Sequence, residues 1–321
     1  MPGLVPGIYA IKLKQYKTWM AGISLAMTEE ARTGPMAIVY DKLMAIEIPP
    51  REQSYDTKDC ILYALGVGLG QNPIDEDEIA FVYEKNLKVL PTMGAILGHP
   101  GFWIRDRDTG IDWVRIVNGE QGVRLHAPLK GQNTVIGKQR ILDVIDKGAG
   151  KGALVLTERK VTDKATGAPI ATVTQTTFCR ADGGFGGPPR TAPEPHPIPS
   201  RAPDTVCDLA TRPETALIYR LSGDRNPLHS EPAVAKQAGY PRPIMHGLGN
   251  FGFAGHAVLK TMCGYDPQKL VSFACRFTAP VFPGETLRTE MWRDGEVVSF
   301  RMRVVGRDVI AVNNGRAEVR P

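Results

Sequence analysis

The amino-acid sequence repeats one plan in its two halves, and this repeat limits the folds that the chain can adopt. Three segments of the first half resemble three of the second half in the same order: 63–73 with 219–227, 91–94 with 243–247, and 126–131 with 278–284. A repeat with so long a period indicates a duplicated domain rather than a solenoid of short units. At 321 residues, the chain is long enough to hold two such domains.

Each half continues from its repeated segments into runs that alternate apolar and polar residues. Leu287, Thr289 and Met291 alternate before the Asp294-Gly295 turn, and the pattern resumes after it, which is typical of a β-hairpin. The first half shows comparable predicted strands at 134–145, 153–161 and 170–178. The glycine-rich and almost wholly apolar segment Leu248–Met262 predicts a helix buried against a sheet. Runs of strands after a helix-rich region indicate an α+β fold with an antiparallel sheet.

Composition divides the chain into four predicted segments. Residues 1–35 are basic at first and contain no acid before Glu29, and we interpret them as an N-terminal extension or a misplaced start. A targeting peptide is the other interpretation, although no cleavage signature follows it. Residues 182–204 are rich in Gly and then in Pro, which predicts an extended linker in which His196 is exposed. This linker separates an N-terminal half at 36–181 from a C-terminal half at 205–321.

Charge, cysteine content and hydropathy exclude several classes of protein. The net charge is +5 and no Lys/Arg run occurs, which favours an anionic small ligand over nucleic acid. The cysteines number five and show no C-x-x-C spacing. That pattern argues against a zinc site or a disulfide framework and favours a reducing compartment. No apolar run approaches the roughly 18 residues of a membrane span.

The candidate chemistry lies in the second half, where Asp224, Asn226 and His229 follow one another around a predicted turn. An acid, an amide and an imidazole at this spacing can converge on one water molecule, and the imidazole can exchange a proton near neutral pH. The structural alternative is that the acid and amide only build the turn. Alignment of the repeats places Gly70 opposite Asp224 and Asp75 opposite His229. The first copy therefore keeps the turn without the reactive side chains, which favours a chemical role for them.

Other motifs receive plainer interpretations. Gly247 opens the predicted buried helix, where a backbone N–H can stabilise a developing oxyanion, although close packing would also require glycine. We interpret His246 and His256 as structural. The glycines of 66–70 follow a predicted helix that begins near Asp56, so they indicate a helix end rather than a phosphate-binding loop.

Tyr219–His229 closely resembles the hydratase 2 signature of the MaoC-like (R)-specific enoyl-CoA hydratases. The resemblance covers the chain from about Met36 to its end. This part of the chain is similar to the hydratase 2 region of peroxisomal multifunctional enzyme type 2. It extends to several further segments: Pro243–Leu248, Arg276–Gly284, Leu90–Met93, Asn118–Gln121, Asp146–Gly150 and Gly183–Gly187.

This resemblance implies a double hot-dog fold, in which each half wraps an antiparallel sheet around a central helix. It implies reversible hydration of a trans-2-enoyl-CoA to a (3R)-3-hydroxyacyl-CoA, with one active site per chain and no metal or other cofactor. The family's catalytic Asp and His fall on Asp224 and His229, its water-holding Asn on Asn226, and its oxyanion N–H on Gly247. Its substrate contacts fall on four further positions: Asn118, where some relatives have His, Gly119, Lys147 and Phe277.

The resemblance also implies an acyl-CoA partner and a homodimer, and no contact with nucleic acid or membrane. Because the sequence ends without Ser-Lys-Leu, we expect a cytoplasmic location. Two other functions stay open at this stage: a hot-dog acyl-CoA thioesterase and a non-catalytic acyl-CoA-binding module.

Overall fold

The computed structural model describes residues 37–321, so the predicted extension at 1–35 lies outside it. The helices are α1 (Tyr40–Met44), α2 (Thr57–Gly66), α3 (Glu76–Ile79), α4 (Trp103–Asp106), α5 (Thr215–Tyr219), α6 (Pro232–Gln237) and α7 (Gly247–Met262). Short 3-10 helices lie at Pro91–Ala95, Trp113–Arg115, Arg220–Ser222, Pro227–His229 and Val305–Arg307. The strands are β1 (Arg51–Tyr55), β2 (Ile116–Leu125), β3 (Asn133–Asp146), β4 (Ala153–Asp163), β5 (Pro169–Cys179), β6 (Thr205–Ala210), β7 (Leu270–Phe277), β8 (Thr286–Asp294), β9 (Val297–Val304) and β10 (Val309–Val319).

The strands form a ten-stranded antiparallel sheet in the order β1-β3-β4-β5-β2-β7-β10-β9-β8-β6. From its outer edge inward, the first half runs β1-β3-β4-β5-β2. The second half runs β6-β8-β9-β10-β7, which is the same order with every strand shifted by five in the chain. The duplication inferred from three pairs of similar sequence segments is therefore present in the strand order of the whole fold.

The two halves meet at a seam between β2 and β7. Glu120 lies opposite Arg276 in this pairing, and the Arg276 Nε donates to Glu120 Oε1 at 2.9 Å. The expectation of a separate sheet in each half needs correction, since the innermost strand of each half pairs with that of the other. An unpaired inner edge would have left a row of backbone N–H and C=O groups without partners.

Helix α7 lies in the core, as its apolar sequence predicts. Phe251, Phe253 and Val258 are fully buried. Two of its glycines allow the first half to approach closely. A Cβ on Gly252 would lie 2.4 Å from Val67 Cγ1, and one on Gly255 would lie 2.4 Å from Thr92 Cγ2. The glycines therefore serve the contact between the two halves rather than the contact with the sheet.

Gly252→Ala is expected to destabilise the fold by about 1–2 kcal/mol. Alanine gains up to about 1 kcal/mol in helix propensity, but forced overpacking typically costs about 1–3 kcal/mol. Gly249→Ala is the matched control on the same helix, because its Cβ would meet its nearest neighbour, Tyr219 Cγ, at 3.5 Å, an ordinary contact. Urea unfolding midpoints of the two variants measure the difference. Equal midpoints would contradict the packing argument.

The first half has no counterpart of α7 among the described residues. The segment that aligns with its start forms only the 3-10 helix Pro91–Ala95. Backbone carbonyls that a longer helix would satisfy are instead bound by Arg159 of β4, a residue that is 2 % exposed. Its Nε donates to Leu97 O at 3.0 Å and its Nη2 to Ala95 O at 2.5 Å. The predicted central helix of the first half is thus replaced by a short turn and a buried arginine.

A second link between the halves is the buried carboxylate of Glu78, in α3. Its Oε2 accepts from Gly70 N at 3.1 Å, within its own half. Its Oε1 accepts from Tyr265 Oη at 3.1 Å and from Lys260 Nζ at 3.3 Å, both in the second half. A buried charge requires such partners, so Glu78 fixes α7 relative to the first half.

The predicted linker at 182–204 contains no helix or strand in the structure, yet it is not free in solvent. Asp146 accepts hydrogen bonds from Gly184 N at 2.7 Å and Gly186 N at 2.9 Å, which fixes the glycine-rich part. The expectation that His196 is exposed is wrong. The ring is half-buried, with Nε2 2.8 Å from Ser299 Oγ. Asn314 Nδ2 donates to the His196 carbonyl oxygen at 2.9 Å, so the proline-rich part of the linker packs against the second half.

Candidate active site

The turn after α5 places the three predicted catalytic residues. Asp224 Oδ1 accepts from Asn226 N at 3.1 Å, and Asn226 Oδ1 accepts from Leu228 N at 3.0 Å. Asn226 thereby caps the short 3-10 helix that carries His229. Each of the two polar side chains thus uses one oxygen to build the turn, as the structural interpretation expected. Within residues 37–321, the second carboxylate oxygen of Asp224 and the amide nitrogen of Asn226 are left for other partners.

His229 lies beneath this turn and is 8 % exposed. Its Nδ1 is 2.9 Å from the carbonyl oxygen of Ile244. A carbonyl can only accept, so Nδ1 carries the hydrogen and the neutral ring presents a lone pair at Nε2. Burial lowers the pKa of His229 below its ordinary value, while the nearby Asp224 opposes that shift. The ring is therefore a neutral base at neutral pH.

His246 belongs to the same site, although the sequence favoured a structural role for it. It is 1 % exposed, and its Nε2 donates to the backbone oxygen of Asp224 at 3.1 Å. Its ring stacks on His229, with centroids 3.7 Å apart and planes inclined by 30°. The position of His246, 17 residues after His229 and next to Gly247, was the signal in the sequence that could have indicated this.

Several buried polar atoms near this point have no hydrogen-bond partner within the described part of the chain. They are Tyr219 Oη, Ser222 Oγ, His246 Nδ1 and Asn250 Oδ1. Buried polar atoms in folded proteins normally have a partner, so a cluster of orphans indicates a place for water or a polar ligand. The Tyr219 and His246 rings lie 5.0 Å apart, which places this cluster beside the imidazole pair.

Gly247 is the first residue of α7, directly after His246. The first N–H groups of an α-helix have no acceptor within the helix, and the helix dipole adds positive potential there. Phe277, at the end of β7, lies beside this point: its ring atoms would be 3.8 Å from a Cβ on Gly247. The predicted oxyanion donor and one predicted substrate contact are therefore adjacent.

The other predicted substrate contacts lie at the same end of the sheet. Asn118 and Gly119 precede Glu120, whose partner across the seam is Arg276, so they lie near Phe277. A register shift between Asn118 and Glu120 bulges β2 at this point. Asn118 Oδ1 is buried without a partner among the described residues. Lys147 follows β3 and holds its Nζ 5.0 Å from the ring centroid of Phe178.

The first half reproduces the turn without its chemistry. Asn72 Oδ1 accepts from Ile74 N at 3.3 Å, matching the Asn226 cap. Asp75 N donates to Asn72 O at 3.2 Å, the same distance as from His229 N to Asn226 O. Asp75 then uses its carboxylate to cap α3, accepting from Asp77 N and Glu78 N. The turn therefore forms without an Asp224 or a His229, which supports a role for those residues beyond folding.

Asp224, His229 and His246 also form a group that could hold a metal ion, since one donor atom of each lies within 4.8 Å of the others. One nitrogen of each imidazole is already engaged by a backbone carbonyl: Nδ1 of His229 by Ile244 and Nε2 of His246 by Asp224. The predicted absence of a metal or other cofactor stays a prediction. Among the described residues, none of the helices is long and apolar enough to cross a bilayer.

Acidification is expected to destabilise the fold through its buried histidines. Burial lowers the pKa of His246 to about 3 and that of His256 to about 4, against about 6.5 in an unfolded chain. The unfolded state binds more protons between these values, so stability is complete above about pH 6.5 and falls as pH drops toward about 4. Melting temperatures across this interval test the expectation. A melting temperature that does not change would contradict it.

Comparison with known protein families matches both halves. Residues 53–181 match the MFE-2 hydratase 2 N-terminal domain, and residues 195–314 match the MaoC like domain. The chain is 40 % identical over 280 residues to 3-hydroxyacyl-thioester dehydratase Y of Mycobacterium tuberculosis, covering 85 % of this chain and 94 % of that protein. It is 37 % identical to the peroxisomal enoyl-CoA hydratase 2 of Arabidopsis thaliana, covering 84 % and 91 %.

The chain belongs to the hydratase 2 family of MaoC-like dehydratases. A solved MaoC-like dehydratase from Phytophthora capsici is 31 % identical, with a TM-score of 0.79, and the match covers 88 % of this chain and 98 % of that one. A Mycobacterium tuberculosis protein described as a double hot-dog fold is 13 % identical, with a TM-score of 0.54 over 88 % and 98 % of the two chains. The predicted double hot-dog fold of this hydratase 2 homologue is confirmed.

Proposed function

We propose that this hydratase 2 homologue catalyses the reversible addition of water to a trans-2-enoyl-CoA, giving a (3R)-3-hydroxyacyl-CoA. One observation carries the proposal: donor atoms of Asp224, His229 and His246 lie within 4.8 Å of one another, beside the helix start at Gly247. An acid–base group next to oxyanion donors suits addition to a double bond conjugated with a thioester carbonyl. The hydro-lyase activity predicted from the sequence agrees with the names of the relatives.

The thioester oxygen is proposed to accept a hydrogen bond from Gly247 N–H. This bond stabilises the enolate oxygen that forms as water adds to Cβ. Donors of this kind typically contribute about 10²–10³ in rate. The helix start supplies the donor without reorganisation, because α7 is held in the core.

Water is proposed to sit between the Asp224 carboxylate and His229 Nε2. His229, neutral and with its lone pair at Nε2, accepts a proton as the water oxygen bonds to Cβ, and the pair returns one proton to Cα. The atoms balance, since one water is added and no redox step occurs. Asn226 would orient the water through its amide nitrogen, because its oxygen is engaged by Leu228 N. General acid–base catalysis of this kind contributes about 10²–10⁴.

The CoA portion is proposed to lie along the sheet end formed by Asn118, Gly119, Lys147 and Phe277. Lys147 offers a cation for a phosphate, and the orphaned Asn118 oxygen offers an acceptor. The acyl-CoA partner agrees with the family. The homodimer, the cytoplasmic location and independence from cofactors stay predictions.

Purified protein with crotonyl-CoA and with longer enoyl-CoAs tests the proposal. The expected result is loss of enoyl absorbance, a 3R product by chiral analysis, and no release of free thiol. Thiol release without the change in enoyl absorbance would replace the proposal with thioester hydrolysis. Tight acyl-CoA binding without turnover would replace it with a binding module.

A further inference from the structure

We propose that His246 is a positioning residue that holds Asp224, His229 and the oxyanion donor Gly247 in one fixed arrangement. The inference rests on the proposed hydration and extends it to a residue that does not need to touch the substrate. Three separate contacts of the His246 side chain and backbone support it, one for each member of the site.

The first contact fixes the turn that carries the carboxylate. His246 Nε2 donates to the backbone oxygen of Asp224 at 3.1 Å. Asp224 itself is exposed, as are Gly223 and Arg225 on either side of it. The buried imidazole is thus an anchor beneath an otherwise solvent-facing segment, and it decides where the carboxylate stands.

The second contact fixes the base. The His229 ring is held at its edge by the Ile244 carbonyl, 2.9 Å from Nδ1. It is held on its face by the His246 ring, at 3.7 Å between centroids. The hydrogen bond to Ile244 sets the tautomer of His229, and the stack on His246 sets the plane of its ring. The Nε2 lone pair of His229 therefore points in one fixed direction. The stack also excludes water from that face of the base.

The third link is the peptide bond between His246 and the oxyanion donor Gly247. His246 is the residue that precedes the first residue of α7, with an extended backbone at ψ 139°. Its carbonyl oxygen accepts from Asn250 N at 3.0 Å, the first hydrogen bond of the helix. A side chain anchored to Asp224 and a backbone that starts α7 together set the distance from the carboxylate to Gly247 N–H.

This role requires a neutral imidazole, since a cation would repel a protonated His229 across the stack. Burial and the neighbouring His229 lower the pKa of His246 to about 3, with Arg220 acting in the same direction and Asp224 opposing them. The Tyr219 ring also lies against His246, at 5.0 Å between centroids. His246 therefore stays uncharged over the range in which His229 can exchange protons.

Imidazole ¹⁵N NMR of the full chain tests the arrangement without relying on activity. We expect His246 to stay neutral from about pH 8 to 5, with its hydrogen on Nε2, and His229 to carry its hydrogen on Nδ1 at neutral pH. A His246 that titrates near the ordinary value of about 6.5, or that carries its hydrogen on Nδ1, would overturn the proposal. This outcome is independent of whether enoyl-CoA is turned over.

Three substitutions separate positioning from simple packing. His246→Ala removes both contacts and should lower kcat about 100-fold, the cost of misplacing a group by about 1 Å, while KM changes less than about threefold. Water would then reach His229 and raise its pKa, so the acid limb of the kcat/KM profile should move to higher pH. His246→Phe keeps the stacked face and loses the donor, so kcat should fall while the acid limb stays in place.

His256→Gln is the matched control, since His256 is a fully buried histidine of α7 whose Nδ1 contacts Val67 O at 3.2 Å, away from the site. It should lower the melting temperature and leave kcat and the acid limb unchanged. If all three variants lose stability and activity in parallel, with the acid limb unmoved, His246 is only a packing residue. Failure of the hydration assay with wild-type protein, with the NMR result as expected, would refute the proposed reaction and leave the arrangement standing.

Discussion

Asp224→Asn is expected to lower kcat for enoyl-CoA hydration by about 10²–10⁴, and His229→Gln to do the same, because each removes one partner of the acid–base pair. Asp224→Asn keeps an oxygen that can accept from Asn226 N, as Asp224 Oδ1 does at 3.1 Å. The turn should therefore form, and the loss should appear in kcat rather than in stability. Steady-state kinetics with crotonyl-CoA measure kcat, and melting temperatures measure the stability of the variants.

The first half supplies the matched control for this experiment. In the first half, Asp75 occupies the position equivalent to His229 and caps α3. Asp75→Asn retains a capping side chain and should leave turnover unchanged. Near-wild-type turnover by Asp224→Asn or His229→Gln would refute the assignment of the catalytic pair. Equal losses from Asp75→Asn would show that turn stability is being measured instead.

Gly247→Pro is expected to lower kcat by about 10²–10³, the typical effect of one lost oxyanion-hole donor. Proline removes the N–H that the proposal assigns to the thioester oxygen, and it does so where a helix tolerates it. The first helical position needs no intrahelical N–H, and proline is favoured there. His246, the preceding residue, already has φ −62° and ψ 139°, the extended backbone that a following proline requires.

Gly247→Ala separates the donor from the size of the side chain. A Cβ at this position would lie 3.8 Å from the nearest ring atom of Phe277, an ordinary contact. Alanine keeps the N–H and should retain most of kcat. If proline and alanine cost the same, the Gly247 N–H is not the oxyanion donor and packing explains the glycine.

Sequence patterns predicted the strands and the long helix well, since both depend on local periodicity. The hairpin expected around Asp294-Gly295 is formed by β8 and β9, and Leu287, Met291 and Val298 are buried in it. The glycines after Leu65 lie at the end of a helix capped by Asp56, as expected. In each of these cases the deciding interactions lie within a few residues along the chain.

The loss of a central helix in the first half could not be predicted in this way. It depends on Arg159, which lies more than sixty residues further along the chain than the Ala95 and Leu97 carbonyls that it binds. The seam between β2 and β7 joins residues that are still further apart, since Glu120 and Arg276 are separated by 156 positions. Such features follow from tertiary packing, which local propensity does not contain.

In the candidate site, the sequence patterns predicted the residues of one turn, whereas His246 was interpreted as structural. Asp224, Asn226 and His229 stand close together in the chain, so their convergence was visible. His246 reaches the same place only because residues 230–245 fold back and return to the start of α7. The position of His246 next to Gly247 was a signal for the site, but the stack on His229 depends on the tertiary fold.

The mirrored strand order of the two halves affects how substitutions can accumulate in such a protein. In a pair of identical chains related by twofold symmetry, every substitution appears on both sides of the axis. Here the seam lies inside one polypeptide, so each side can change alone. The first half has an arginine-bound turn where the second half has α7, and Asp75 where the second half has His229. Fusion of the copies permits an asymmetry that no homodimer of single domains could encode.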